Sequence, residues 1–158
     1  MRIDHHIKQV LGVVLLGMLL SGCATTSKQT ASGQALKQET AAELGVRYLL
    51  GRGVPQSDEK AFHYFKEAAS AGDAAAQNEL AYLYATGKGT SKNAEKAVFY
   101  YQLAAFQDLP SAQFNLGLLY AKGQGVTANQ TEAMKWIEKA AALGFLPARA
   151  YLSHAHTS

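Results

Sequence analysis

From residue 40 onward the apolar positions of the chain recur in a fixed order at a spacing of 36 residues. Leu44, Leu80 and Leu116 align at that spacing, then Tyr48, Tyr84 and Tyr120, then the pairs Gly51 and Gly53, Gly87 and Gly89, Gly123 and Gly125. The register continues without a gap through Ala61, Ala97 and Ala133, through Tyr64, Tyr100 and Trp136, and into Ala68-Ala69, Ala104-Ala105 and Ala140-Ala141. A recurrence of this length marks a tandem array, in which each unit buries its apolar face only by stacking on its neighbours.

Each unit divides at its Gly-x-Gly. Before it, Leu44, Gly45 and Tyr48 fall at i, i+1 and i+4, one face of a helix, as do their counterparts Leu80, Ala81, Tyr84 and Leu116, Gly117, Tyr120. After it, Ala61, Tyr64, Phe65, Ala68 and Ala69 mark a second amphipathic helix. The small residues allow close approach of helix backbones, and the aromatic residue at 64, 100 or 136 fills the space between. Glycine after the first helix supplies a left-handed end. Ser57, Asn93 and Asn129 share one repeat position and are good N-caps for the second helix, and Asn129-x-x-Glu132 has the form of a capping box. Gly72 and Gly144 end two of the second helices; Asp108 stands at that place in the middle unit and tolerates the left-handed region better than most residues. Pro110 and Pro147 suit the first turns of the helices that follow.

The pattern therefore predicts an all-α solenoid. Three helix-hairpin repeats occupy residues 40–146, in units of about 40–74, 75–110 and 111–146. PARAYL at 147–152 aligns with SAQFNL at 111–116, so residues 147–158 read as a capping helix and tail.

The repeat unit, A-x-x-L-G-x-x-Y-x-x-G-x-G-V followed by K-A-x-x-Y and a terminal A-A, resembles the Sel-1-like repeat, a relative of the tetratricopeptide repeat. Its best copies are AQFNLGLLYAKGQGV at 112–126 and EKAFHYFKEAASAG at 59–72, and the likeness covers residues 40–152. Departures are local: Thr90 replaces a valine, Glu132 replaces a lysine, and Arg47 stands where the other units have Leu83 and Leu119. The resemblance implies a right-handed superhelix that binds proteins or peptides, commonly in envelope assembly, signalling or host contact. Some cysteine-rich secreted members of the family are associated with beta-lactam binding or hydrolysis. Those carry a cysteine pair in each repeat, which this chain lacks, and nothing is carried over from them.

Before residue 40 the pattern changes. Arg2 and Lys8 precede VLGVVLLGMLL at 10–20, eleven apolar or glycine residues, and then small Ser21 and Gly22. That is the order of a signal peptide over residues 1–22. It is short of the roughly 20 residues needed to span a bilayer. Leu20-Ser21-Gly22-Cys23 resembles the bacterial lipobox. The resemblance implies cleavage between Gly22 and Cys23, a diacylglyceryl group on the Cys23 sulfur and an N-acyl chain on its new amino group. A thiolate is the natural nucleophile for such a thioether, and two or more acyl chains hold stably where one holds marginally. The competing readings are a free buried thiol and an ordinary leader that happens to contain cysteine. Ala24, in place of the aspartate that retains such proteins in the inner membrane of enteric bacteria, implies the periplasmic leaflet of the outer membrane. ATTSKQTASGQ at 24–34 contains nothing large and apolar, so residues 23–39 read as a lipidated cysteine and a flexible tether. Eleven such residues reach about 20 Å.

Composition narrows the function further. Of 158 residues, 48% are apolar and 17% charged, a globular balance. The net charge is +3; the leader contributes Arg2 and Lys8 against Asp4, and the mixed +2 that remains argues against nucleic acid as a partner. A single cysteine permits no intrachain disulfide. Gly87-Lys88-Gly89-Thr90 lacks the upstream glycine of a phosphate loop and follows a helix, so it reads as a turn. His63 is alone on its helix, and His154 and His156 read as a frayed tail rather than a metal pair. No Ser-His-Asp order, paired catalytic carboxylates or His-Glu-x-x-His is present. The expectation is a non-enzymatic protein without metal or cofactor, apart from the lipid on Cys23.

A binding surface follows by subtraction. Positions 43, 46 and 50 fall at i, i+3 and i+7 of the first helix, off its core face, and they vary between units. They are Glu43, Val46 and Leu50, then Glu79, Tyr82 and Thr86, then Asn115, Leu118 and Lys122. In tetratricopeptide-like stacks the first helices line the concave surface. Val46, Tyr82 and Leu118 would then form an apolar stripe suited to a peptide or helix; the alternative is that they merely pack between units. The expected function is a membrane-anchored periplasmic scaffold for a protein partner. A structural subunit of an envelope export or motility assembly is the alternative, and an enzyme acting on cell-wall material or a beta-lactam is the remote one.

Overall fold

The computed structural model describes residues 39–155; the leader, Cys23, most of the tether and His156 lie outside the described residues. Among those described there are seven helices and no strand: α1 (Ala41–Leu50), α2 (Asp58–Ser70), α3 (Ala74–Thr86), α4 (Ala94–Ala105), α5 (Pro110–Lys122), α6 (Gln130–Ala142) and α7 (Leu146–Ala155). Each helix packs on its neighbours in sequence, α1 on α2 through to α6 on α7. The result is a solenoid of three hairpins with α7 at its end.

Alanine dictates the spacing. Ala61, Ala97 and Ala133 are fully buried at one position of the three second helices, with nothing beyond a β carbon to keep the first helix away. Phe65, Leu80, Leu83, Leu116 and Ile137 fill the space around them and are the large, wholly enclosed side chains. Complete burial of one such residue contributes roughly 1.5–3 kcal/mol. Leu44, which aligns with Leu80 and Leu116, is only half-buried, because no described helix precedes α1.

The helix ends repeat as faithfully as the core. Ser57, Asn93 and Asn129 cap α2, α4 and α6 with their side chains, accepting from the third residue of each helix. Their own N–H groups donate to Tyr48, Tyr84 and Tyr120 at 3.0, 2.8 and 2.9 Å. That second bond explains why the Asn129–Glu132 capping box is only half formed. The Asn129 N–H is already taken, and the Glu132 carboxylate turns to Lys135 at 2.7 Å. The complete box is instead at α1, where Thr40 and Glu43 cap each other's N–H groups. Asp108 has a φ of 58°, the left-handed value that Gly72 and Gly144 adopt at the equivalent places. Pro110 begins α5 and Pro147 is the second residue of α7. His154 is helical, in the last turn of α7, rather than part of a frayed tail.

Two devices join one repeat to the next. The side chain of Gln77 donates to the Ala69 carbonyl at 3.3 Å, Gln113 to Ala105 at 3.2 Å, and Arg149 to Ala141 at 3.1 Å. All three donors occupy one repeat position, and each adds a second bond to a carbonyl near the end of the preceding helix that already accepts from the main-chain N–H three residues on. In the turns, Gly89 and Gly125 lie against the main chain at the start of the preceding repeat's second helix, at Asp58 and Ala94.

Tyrosines stack within the repeats. Tyr48 lies on Tyr64 with centroids 5.5 Å apart and Tyr84 on Tyr100 at 5.8 Å, the planes within 8° of parallel. The Lys60 and Lys96 ammonium groups lie over the Tyr48 and Tyr84 rings, 4.9 and 5.2 Å from their centroids. The third repeat has Glu132 and Trp136 instead. There the Trp136 ring meets Phe106 edge-on at 5.5 Å and Lys139 at 4.3 Å.

Candidate functional site

The first helices of the repeats carry the candidate surface. On α1, Glu43, Val46 and Leu50 are all exposed. On α3, Tyr82 and Thr86 are exposed and Glu79 is half-buried; the Thr86 hydroxyl donates to the Tyr82 carbonyl at 2.8 Å, and Lys88 stands 5.5 Å from the centroid of the Tyr82 ring. On α5, Lys122 is exposed but Asn115 and Leu118 are half-buried. Leu118 packs with Phe114, Phe145, Tyr151 and Leu152 into the cluster around Ile137, Ala140 and Ala148 that seats α7. The apolar stripe is therefore open at Val46 and Tyr82 and partly covered at Leu118. The tyrosine of α7 lies one residue off the repeat register and meets Phe114 with ring centroids 6.2 Å apart.

Between α1 and α3 lies a groove of about 460 Å³. Ala42, Glu43 and Val46 form one wall, Ala75, Ala76 and Glu79 the other, and Phe65 of α2 reaches the space between them. The repeat period explains why the opening is here. One unit on, Ala42, Val46 and Phe65 become Asn78, Tyr82 and Tyr101; two units on, they become Phe114, Leu118 and Ile137. Larger side chains stand at those positions on the first helices, and the cap packs against the last set.

Charge is distributed unevenly around the groove. Glu39 pairs with Arg47 at 2.8 Å. The Glu43 carboxylate accepts from the Thr40 N–H and hydroxyl at 2.8 and 3.1 Å, and Glu79 accepts from the Asn78 amide at 3.1 Å. Arg52 contributes to the lining from the turn after α1. Burial, then the nearby charge of Glu79 and finally Tyr82, push the Tyr101 phenol well above the ordinary tyrosine range. Such a site can grip an apolar side chain and present carboxylates to whatever accompanies it.

The residues weighed for other chemistry lie apart. His63 is exposed on α2, its ring edge-on to Tyr64 at 5.5 Å. Lys88 and Thr90 belong to the turn after α3, with Gly87 and Gly89 both left-handed. Among the described residues no group of three or more His, Cys, Asp or Glu could hold a metal ion. No described helix is long and apolar enough to cross a membrane.

The recurring hairpins and their inter-repeat clamps define an α-solenoid of tandem helix pairs. The Sel1 repeat model matches residues 38–73, 74–108 and 110–145, and the chain belongs to that family. Proteins built from this repeat generally act as non-catalytic scaffolds for protein interaction. Solved structures that are similar include the following three. A Sel1 repeat protein from Oxalobacter formigenes is 38% identical, with 72% of this chain and 86% of that one covered and a TM-score of 0.66. A protective antigen of uropathogenic Escherichia coli with the same repeat fold is 35% identical, with 72% of this chain covered and a TM-score of 0.70; the match spans 24% of that antigen's length. The Helicobacter pylori cysteine rich protein B is 28% identical, with 70% and 86% covered and a TM-score of 0.59. No curated protein matches the chain.

Proposed function

We propose that this chain is a lipid-anchored protein of the bacterial envelope that recruits a protein or peptide partner through the first-helix face of its solenoid. The observation that carries the binding half is the open groove between α1 and α3, with Val46 and Tyr82 exposed on the same face. Family membership supports a scaffold rather than a catalyst. The anchoring half rests on Leu20-Ser21-Gly22-Cys23 after an eleven-residue apolar run. A diacylglyceryl and an N-acyl chain on Cys23 would hold the protein at the membrane, and Ala24 favours the outer membrane, facing the periplasm.

Two experiments test the two halves separately. Cys23→Ala releases the protein from the membrane fraction while its helical circular dichroism is unchanged; a variant that stays with the envelope and carries no lipid removes the anchor. Photo-crosslinkers at Val46 and Tyr82 in living cells capture a partner, whereas one at exposed Phe99 on a second helix does not. Capture from Phe99 alone overturns the first-helix surface.

A further inference from the structure

The helices alternate in direction, so the starts of α1, α3, α5 and α7 and the ends of α2, α4 and α6 share one edge of the solenoid. Three turns lie along it: SAGDA at 70–74, FQDLP at 106–110 and ALGFL at 142–146. All three make the same connection, with Gly72, Asp108 and Gly144 left-handed. The first does so with small and polar residues, so the connection itself does not call for the apolar residues of the other two.

Some of those apolar residues serve the fold. Leu109 packs against the main core, and Phe145 meets Phe114 with ring centroids 5.6 Å apart. Others do not. Phe106 and Leu146 are 72% and 73% exposed, more than any other large apolar side chain among the described residues, and Leu143 is 52% exposed. None of the three is part of either apolar cluster, although the Phe106 ring meets Trp136 edge-on. The opposite edge differs in kind. Its turns bear Arg52, Lys88 and Lys92, their valines are half-buried, and Leu50 at the end of α1 is the one large apolar side chain exposed there among the described residues.

The course of the chain selects what meets the apolar edge. Residues 24–38 join Cys23 to Glu39, and Glu39 and Thr40 stand immediately before α1, on the edge that carries Phe106, Leu143 and Leu146. A coil of that length reaches roughly 20 Å. A helix of 13 residues, such as α2, holds the opposite edge about 20 Å farther away. A lipid on Cys23 therefore keeps the apolar edge beside the bilayer. We propose that this edge rests on the membrane leaflet that holds the Cys23 lipid, with Phe106, Leu143 and Leu146 entering its interfacial layer to a depth of roughly 5–10 Å. The inference rests on the lipid-anchor reading and adds which side of the folded part meets the lipid. Asp73 and Asp108 stand on the same edge, Asp73 capping α3 and Asp108 accepting from the Gln113 amide at 3.3 Å. The contact is thus apolar rather than electrostatic, and it needs no anionic lipid.

The test uses the full acylated chain in phosphatidylcholine vesicles. Acylation of Cys23 leaves no native thiol, so one added cysteine carries a fluorescent label: Phe106→Cys, Leu143→Cys, Leu146→Cys or, in an exposed turn of the opposite edge, Ser91→Cys. Lipids brominated on their acyl chains quench the labels at positions 106, 143 and 146 at least about threefold more than the label at 91, and replacing about a third of the lipid by phosphatidylglycerol brings no gain. Leu143→Glu with Leu146→Glu lowers the quenching at position 106 to the level seen at 91, while the chain still floats with the vesicles and keeps its helical circular dichroism. Equal quenching at 91 and 146 overturns the proposal, as does quenching that needs anionic lipid or survives the double glutamate variant. A label at 146 that stays in water while a photo-crosslinker there captures a protein in living cells overturns it in favour of a protein contact. Flotation without quenching at 146 leaves the anchor standing and removes the edge contact; a chain without acyl groups that does not float removes both.

Discussion

Gly89 rests on the main chain of Asp58 so closely that a β carbon at residue 89 would overlap the Asp58 carbonyl, and its φ of 65° is one that other residues adopt at a cost. Gly125 stands in the same relation to Ala94. Gly53 has nearly the same φ, 71°, but no described atom near its β position. The two glycines therefore separate backbone strain from inter-repeat contact. Gly53→Ala is expected to cost about 1–2 kcal/mol, the left-handed penalty alone. Gly89→Ala adds overpacking and is expected to cost about 2–5 kcal/mol. Urea denaturation of the two variants reads the difference; equal costs would mean the turn does not join the repeats.

Gln77 and Gln113 do the same work with unequal support. The Gln77 side-chain oxygen accepts from Gln107 at 2.8 Å, whereas the buried oxygen of Gln113 has no partner. The residue 36 positions after Gln107 is Leu143, which has no donor to offer and is exposed. Leu143→Gln is expected to raise stability by about 0.5–1.5 kcal/mol, the net worth of one hydrogen bond, seen as a higher thermal midpoint. Gln107→Leu in the second repeat is expected to lower it by a similar amount.

Much of this was legible because the period of 36 reports packing directly. A position that stays small, such as 61, 97 and 133, must lie where helices meet, and the N-caps of the three second helices were visible as Ser or Asn before a helical run. The glutamine clamp was present in the same register, yet nothing local announces a bond to a carbonyl eight residues back across a turn. Its only signal is that PARAYL puts a long donor, Arg149, under two glutamines. The groove was harder still. Glu43 and Val46 could be assigned to an exposed face, but an opening depends on what is missing, and only the packing reveals that Phe65 lines it. The partial cover over Leu118 comes from the cluster that seats α7, a helix that keeps the register at Arg149 and departs from it at Tyr151.

At Gly117, α5 comes close to α6. A β carbon there would lie 2.6 Å from Ile137 Cγ1 and 2.9 Å from the Ala133 carbonyl oxygen. Gly117→Ala is expected to destabilise by about 1–3 kcal/mol. Adding Ile137→Val relieves only part of this, because valine removes Cδ1 but keeps the γ carbons, and the carbonyl remains. A double-mutant cycle measured by urea denaturation checks both statements; full rescue would show that the side chain alone sets the helix spacing.

Tyr101 predicts an alkaline limit. Its phenol is held above the ordinary value in the folded chain, chiefly by burial, so the unfolded chain releases that proton first. The stability tied to Tyr101 is intact below about pH 10, the unfolded value, and declines as pH rises beyond it. Tyr101→Phe, with denaturation followed from pH 9 to 11, is expected to flatten this part of the decline. An unchanged slope would assign it to the other tyrosines.

The space around Gly53, open among the described residues, gives the array a direction of growth. A hairpin grafted ahead of Thr40 could set the start of its second helix against Gly53, as Asp58 is set against Gly89, at the expense of the Glu39–Arg47 pair. One inserted after Ala142 would have to dislodge α7 and break the Arg149 clamp. Lengthening of this scaffold is thus an N-terminal affair, and each added unit would bring a further pair of first helices whose mutual side-chain bulk decides whether another groove opens.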